Sequence, residues 1–222
     1  MEKLREKKNR VKEIFELLDP IYPREKTALK YSSPFELLVA TILSAQCTDE
    51  RVNQVTSYLF KKYKGPQDFI KVPIGELEID IRPTGFFKNK ARSLKGCAQA
   101  IVEQYGGEVP STMEELLKLP GVGRKTANCV LGAAFDVPGV VVDTHVKRLA
   151  KRLGLTDQTD PDKIEKDLEE LLPRKKWRRF SDLLIYHGRE VCKARKPLCL
   201  QCIIRQHCPS APHSPPLSHF TT

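Results

Sequence analysis

The stretch Leu119-Pro120-Gly121-Val122-Gly123-Arg124-Lys125-Thr126-Ala127 decides how the rest of this 222-residue chain is read. It lies between two segments of helical spacing. Upstream, Ser111 followed by Glu114 forms a capping box that opens a short helix ending at Leu119-Pro120. Downstream, a helix is predicted from about Arg124 to Phe135. Between them, two glycines flank one apolar residue, allow a tight turn and leave the backbone bare. N–H groups at such a turn, where a helix starts, form a nest of partial positive charge that takes a phosphate oxygen without any side chain. The same spacing also serves as a plain joint between helices, with glycine as the C-cap.

Outward from this hairpin the pattern stays helical. Leu4, Val11, Ile14, Phe15 and Leu18 recur at helical spacing. Ser33-Pro34-Phe35-Glu36 is a helix start, with Ser33 as N-cap and Glu36 completing a capping box. The run from Phe35 to Ala45 is apolar almost all round, so this helix is expected at the centre of a core. Thr48 or Asp49 can cap the next helix, with Val52, Val55 and Leu59 on one stripe. Asp160-Pro161 opens a helix through Leu172, and Trp177, Phe180 and Leu184 mark another. Val140-Val141-Val142 is the best strand candidate and is too short to carry a sheet. The fold class is therefore all-α. Pro138-Gly139 breaks the pattern, and the Pro- and Ser-rich tail, 209–222, is expected to be disordered.

Lys and Arg number 38 against 28 Asp and Glu, a formal net charge of +10. That excess favours a polyanionic partner, since phosphate binding is driven largely by counterion release, although basic soluble proteins without nucleic acid are common. No apolar run is long enough to span a membrane, and the first twenty residues mix acids with bases. Membrane insertion and secretion are not expected. Of seven cysteines, Cys47, Cys97 and Cys129 are scattered in apolar or helical contexts and read as buried thiols. Cys192, Cys199, Cys202 and Cys208 crowd together and read as one metal site. Four thiolates so close suit tetrahedral zinc or an iron–sulfur cluster, and spacing alone does not separate the two.

Two residues carry candidate chemistry. Lys125 falls in the first turn after the hairpin, where Arg124 and the positive helix end disfavour an ammonium ion. Shielded from water, a neutral amine there is a nucleophile. Asp143 ends the apolar run 140–142 and starts a helix, the ordinary position of an N-cap. A carboxylate beside the amine could also take its proton, or balance a cationic sugar centre.

These residues resemble a known family. The hairpin at 119–127 matches the helix–hairpin–helix motif, and together with Val142-Asp143-Thr144-His145 and Leu43-Ser44-Ala45-Gln46-Cys47-Thr48-Asp49 it is similar to the endonuclease III family of DNA glycosylases. The resemblance covers about residues 5–208. It implies Lys125 and Asp143 as catalytic residues, and Gln46 as the side chain that fills the gap left by an everted base. It implies DNA contacts from Gly121, Val122, Gly123, Arg124, Thr126 and His145. It places an apolar wedge at Phe86, where the family more often has Leu-Tyr after the glycine; a core aromatic is the other reading of Phe86. It makes the four cysteines the ligands of a [4Fe-4S] cluster, and Arg195 and Lys196 a basic phosphate-binding loop between the first two of them.

The fold so implied is two helical domains with a DNA-binding cleft between them. Residues 27–137 form a six-helix barrel, and 1–26 with 138–208 form the cluster domain. The implied function is base excision repair. A bifunctional DNA N-glycosylase would remove oxidised pyrimidines such as thymine glycol through a lysine Schiff base, then cleave the strand as an AP lyase. The rival readings are a monofunctional mismatch glycosylase of the same superfamily and a non-catalytic DNA-binding module. The expected partner is duplex DNA with damaged bases or abasic sites. The protein is expected to act as a monomer in the cytoplasm, on the nucleoid, in a bacterial or archaeal setting.

Overall fold

The computed structural model describes residues 4–24 and 27–212, and every regular element among them is helical. In chain order the helices are α1 (Leu4–Leu18), α2 (Pro34–Leu43), α3 (Asp49–Lys62), α4 (Pro66–Lys71), α5 (Ile74–Ile81), α6 (Phe87–Tyr105), α7 (Met113–Leu116), α8 (Arg124–Ala134), α9 (Thr144–Arg152), α10 (Pro161–Leu171) and α11 (Trp177–Glu190). Short 3-10 turns occupy Arg82–Thr84, Arg174–Lys176, Cys199–Gln201 and Arg205–His207. Val140, Val141 and Val142 are buried but pair with no strand.

Several helices begin where a side chain accepts from an otherwise orphaned N–H. Ser33 caps α2, Thr48 caps α3, Thr112 caps α7, Asp143 caps α9 and Asp160 caps α10. Two capping boxes differ from the sequence reading. At α2 the Glu36 carboxylate turns back past the cap and accepts from the backbone N–H and hydroxyl of Ser32. At α7 the cap is Thr112 with Glu115, one residue beyond Ser111 and Glu114. Both pairs fit the same spacing rule, so packing decides: the later register buries Leu116 completely.

The chain divides at Arg24 and at Gly139 into two compact units. Residues 27–139 form one, built from α2–α8: six helices and the single turn α7. Eight of the ten residues of α2 are buried, so this helix is the core of its unit. Phe69 of α4 sits edge-on to Phe35 at 5.4 Å and against Tyr63 at 5.3 Å. Pro138 and Gly139 belong with this unit. A Cβ on Gly139 would lie 2.2 Å from Asn128 Oδ1, so only glycine passes so close over α8.

The other unit joins 4–24 to 140–212. Its core takes Val11, Ile14, Phe15 and Leu18 from α1, with Val146 and Leu149 of α9, Ile164 and Leu168 of α10, and Phe180 and Leu184 of α11. Arg10 ties α1 to the distant chain by donating to Leu153 O (2.6 Å) and His207 O (3.0 Å).

Candidate functional site

Within residues 27–139 the hairpin is set by packing. Leu119 and Val122 are buried, and the Val122 N–H donates to Leu119 O at 3.1 Å. Val122, expected to contact DNA, also anchors the turn, with its side chain buried and its N–H engaged inside the unit. Gly121 has φ +80°, and a Cβ there would lie 2.6 Å from Ser93 Cβ on α6. Glycine is needed on both counts. Gly123 is the N-cap of α8 and offers no side-chain cap, so this helix start is of the kind that takes an anion. Arg124 and Thr126 are half-buried in the first turn, and Lys125 beside them is exposed.

The same unit presents Gln46 and Phe86 from two loops. Both are exposed, and both adopt left-handed backbone, with φ 54° and 48°. Phe86 is 63% exposed, which removes the reading of it as a core aromatic. Phe87 instead packs against the core. Of the three scattered thiols expected to be buried, only Cys97 is; burial pushes it up to about 12. Cys47, in the loop between α2 and α3, and Cys129, on α8, are half-buried.

In the other unit, Asp143 is half-buried at the start of α9. Its Oδ1 accepts from the N–H groups of His145 and Val146, both at 2.8 Å. Oδ2 has no partner among the described residues. The opposite end of α9 faces the cysteines. Arg148 donates to Gly188 O at 2.9 Å and to Cys192 O at 3.1 Å, and it also contacts His145 Nδ1 at 3.1 Å. Arg152 Nη1 lies 3.3 Å from Cys192 Sγ, and its guanidinium donates to Lys193 O (2.8 Å) and Ala194 O (3.0 Å).

Cys192, Cys199, Cys202 and Cys208 line one cavity of about 260 Å³, with Leu149, Leu153 and Ile204 as apolar wall. No three described His, Cys, Asp or Glu side chains stand close enough to hold a single metal ion. Four thiols gathered round one cavity of this size fit the iron–sulfur cluster that the resemblance implies. Burial pushes the Cys202 and Cys208 thiols up, so loading metal there expels protons. His187, buried on α11, places Nε2 3.3 Å from Cys202 Sγ while its Nδ1 meets the Tyr22 hydroxyl at 3.0 Å.

The loop from Cys192 to Cys199 is closed at its neck by the Leu198 N–H donating to Val191 O at 3.0 Å. It leaves Lys193, Arg195 and Lys196 exposed, Lys196 with φ 53°. Residues 209–212, expected within a disordered tail, are folded. The Ala211 N–H donates to Cys208 O at 3.1 Å, Arg205 donates to Pro212 O at 2.8 Å, and Ser210 and Ala211 line the cavity. The remainder of that tail, 213–222, lies outside the described residues. Arg148, Arg152, His187 and Tyr22 were not singled out by the sequence. The one available signal was the i, i+4 spacing of the two arginines on α9, which suits one face as well as it suits solvent.

Residues 39–174 match the HhH-GPD superfamily of base excision DNA repair proteins, and 192–208 match the iron–sulfur binding domain of endonuclease III. The chain is 54% identical over 212 residues to an endonuclease III of Synechocystis sp., covering 95% of this chain and 97% of that one. Two solved structures are also similar. One is a non-covalent endonuclease III–DNA complex, with TM-score 0.87 and 43% identity over 92% of this chain and 96% of that chain. The other is a trapped endonuclease III–DNA covalent intermediate, with TM-score 0.85 and 42% identity over 95% of this chain and 98% of that chain.

Proposed function

The chain belongs to the endonuclease III family of base excision DNA repair proteins, and on that premise we propose that Lys125 and Asp143 carry its chemistry on damaged duplex DNA. The enzyme is a bifunctional DNA glycosylase and AP lyase for oxidised pyrimidines, with a [4Fe-4S] cluster as cofactor. Extrusion of the damaged nucleotide costs a few kcal/mol and least for a poorly stacked base. Gln46 and Phe86, exposed on their two loops, fill the space it leaves. The N-terminus of α8 and the basic loop 193–196 grip phosphates; Gly121 and Gly123 let the backbone approach, and Arg124, Thr126, His145, Arg195 and Lys196 flank the strand.

Lys125 Nζ then attacks the sugar C1′. The C1′–N bond breaks, the base leaves with its electron pair and takes up a proton, and the amine–sugar adduct opens to a Schiff base. Loss of the C2′ proton drives elimination of the 3′-phosphate and nicks the strand. Asp143 accepts the proton from Lys125 and then balances the cationic intermediate through Oδ2. Cys192, Cys199, Cys202 and Cys208 hold the cluster, which when bound cross-links the loop so that its cations stand at a fixed spacing. We place this work in the cytoplasm on the nucleoid, by a monomer. The Synechocystis relative reported above is bacterial, and no helix among the described residues is long and apolar enough to cross a membrane.

The observation that carries the reading is the position of Lys125, exposed in the first turn of α8 directly after the glycine hairpin. Borohydride trapping on a duplex with one thymine glycol tests it. Native protein is expected to give a covalent adduct, and Lys125→Gln to bind the duplex without one. A variant that still traps and nicks would remove Lys125 as the nucleophile.

A further inference from the structure

Lys90, in the first turns of α6, is a buried ammonium with only 6% of its surface exposed. It donates to Leu43 O and to Thr84 O, both at 2.8 Å. No carboxylate among the described residues pairs with it, and burial pulls its pKa down while the nearby Cys47 sulfur pulls it up. The amine supplies a donor to both carbonyls and so links the two chain segments that carry them.

Its two acceptors say what it does. Leu43 is the last residue of α2, and Gln46 follows three residues on. Thr84 ends the 3-10 turn before Gly85 and Phe86. The Lys90 backbone N–H makes the first helical bond of α6, to Phe86 O at 3.1 Å, so it is the side chain that reaches Leu43 and Thr84. A single charge thus satisfies two helix-end carbonyls and ties together the two loops whose left-handed residues, Gln46 and Phe86, project to the surface.

We propose that Lys90 is a positioning residue for nucleotide extrusion, fixing the loops of Gln46 and Phe86 at the one spacing at which both side chains enter the vacated stack. The proposal rests on the reading of Gln46 and Phe86 given above, and the test separates the two. The probe is a duplex with 2-aminopurine beside a tetrahydrofuran abasic analogue, mixed rapidly with saturating holoenzyme; the rise in fluorescence reports extrusion. The double variant Gln46→Ala/Phe86→Ala is expected to slow the rise, and a native rate there overturns the underlying reading. Given that slowing, Lys90→Met is expected to slow the rise about tenfold, the scale of a lost charge-assisted hydrogen bond. An unchanged rate overturns the role of Lys90.

Adding Lys90→Met to the double variant is expected to change nothing more, because the effect of Lys90 passes through those two side chains. A further slowing by the same factor shows a general structural role and overturns the proposal. Should circular dichroism show Lys90→Met to be unfolded, Lys90→Gln replaces it. That variant keeps one amide donor, and it is expected to slow extrusion by a smaller factor and to give the same null result in the double-variant background.

Discussion

Asp143 caps a helix with one carboxylate oxygen, the proposed function assigns the other to chemistry, and two substitutions take these roles apart. Asp143→Asn retains a carbonyl oxygen for the His145 and Val146 N–H groups but loses the charge. Its stability is expected within a few tenths of a kcal/mol of native, whereas Asp143→Ala loses the cap and about 1 kcal/mol. Both are expected to lower single-turnover base release about 100-fold or more, the usual loss when a general base is removed. Thermal unfolding set beside the single-turnover rate reads both quantities; native release by Asp143→Asn would confine Asp143 to capping. The position of Asp143 was readable because an acid closing an apolar run and opening a helix leaves a local mark. The free oxygen was not, since which lone pairs a cap uses is settled only by folded geometry.

The loop 193–198 hangs between Cys192 and Cys199 and is clamped from below by Arg152 of α9. Its cations are exposed and its backbone is fixed at Lys193 O and Ala194 O, so on the proposed function Arg195 and Lys196 would meet phosphate with little backbone entropy left to lose. Removing both, Arg195→Ala with Lys196→Ala, is expected to weaken binding to abasic duplex about equally across sequences. The slope of log affinity against log salt should fall by about two, one per phosphate contact. Trapping by Lys125 at saturating DNA should persist. An unchanged salt slope would place this loop off the DNA.

At this scale the sequence was informative where a rule is local and silent where two registers satisfy the same rule. The starts of α2, α3, α9 and α10 were readable from Ser33, Thr48, Asp143 and Asp160. At α7, Ser111 with Glu114 and Thr112 with Glu115 compete, and burial of Leu116 chooses the later pair. The basic loop could be read from its residues, but its clamp could not: Arg152 reaches it across 41 residues of chain. For the same reason residues 209–212 read as tail, since the cavity they close exists only once the four cysteines are gathered.

Across the whole molecule, two hydrophobic cores share no residue: one lies wholly within 27–139, and the other draws on both ends of the chain. Composition cannot show such a division, but the energetics that follow from it can be measured. Leu18 of α1 is fully buried in the second core, among residues contributed by α9, α10 and α11. Leu18→Ala is expected to cost about 2–5 kcal/mol there through lost burial and the cavity left behind. Trp177 is the chain's single tryptophan and belongs to the same core, with its indole N–H donating to Leu172 O at 2.9 Å. Its fluorescence in urea therefore reports this unit alone, as does the visible absorbance of the cluster, while helical circular dichroism reports both units. In Leu18→Ala both local signals are expected to be lost at lower urea than in the native protein, leaving behind a portion of the dichroism contributed by α2–α8. If fluorescence, cluster absorbance and the whole dichroism shift together, the two cores unfold as one cooperative body, and α1 stabilises the hairpin of residues 119–127 as much as it does the cysteines.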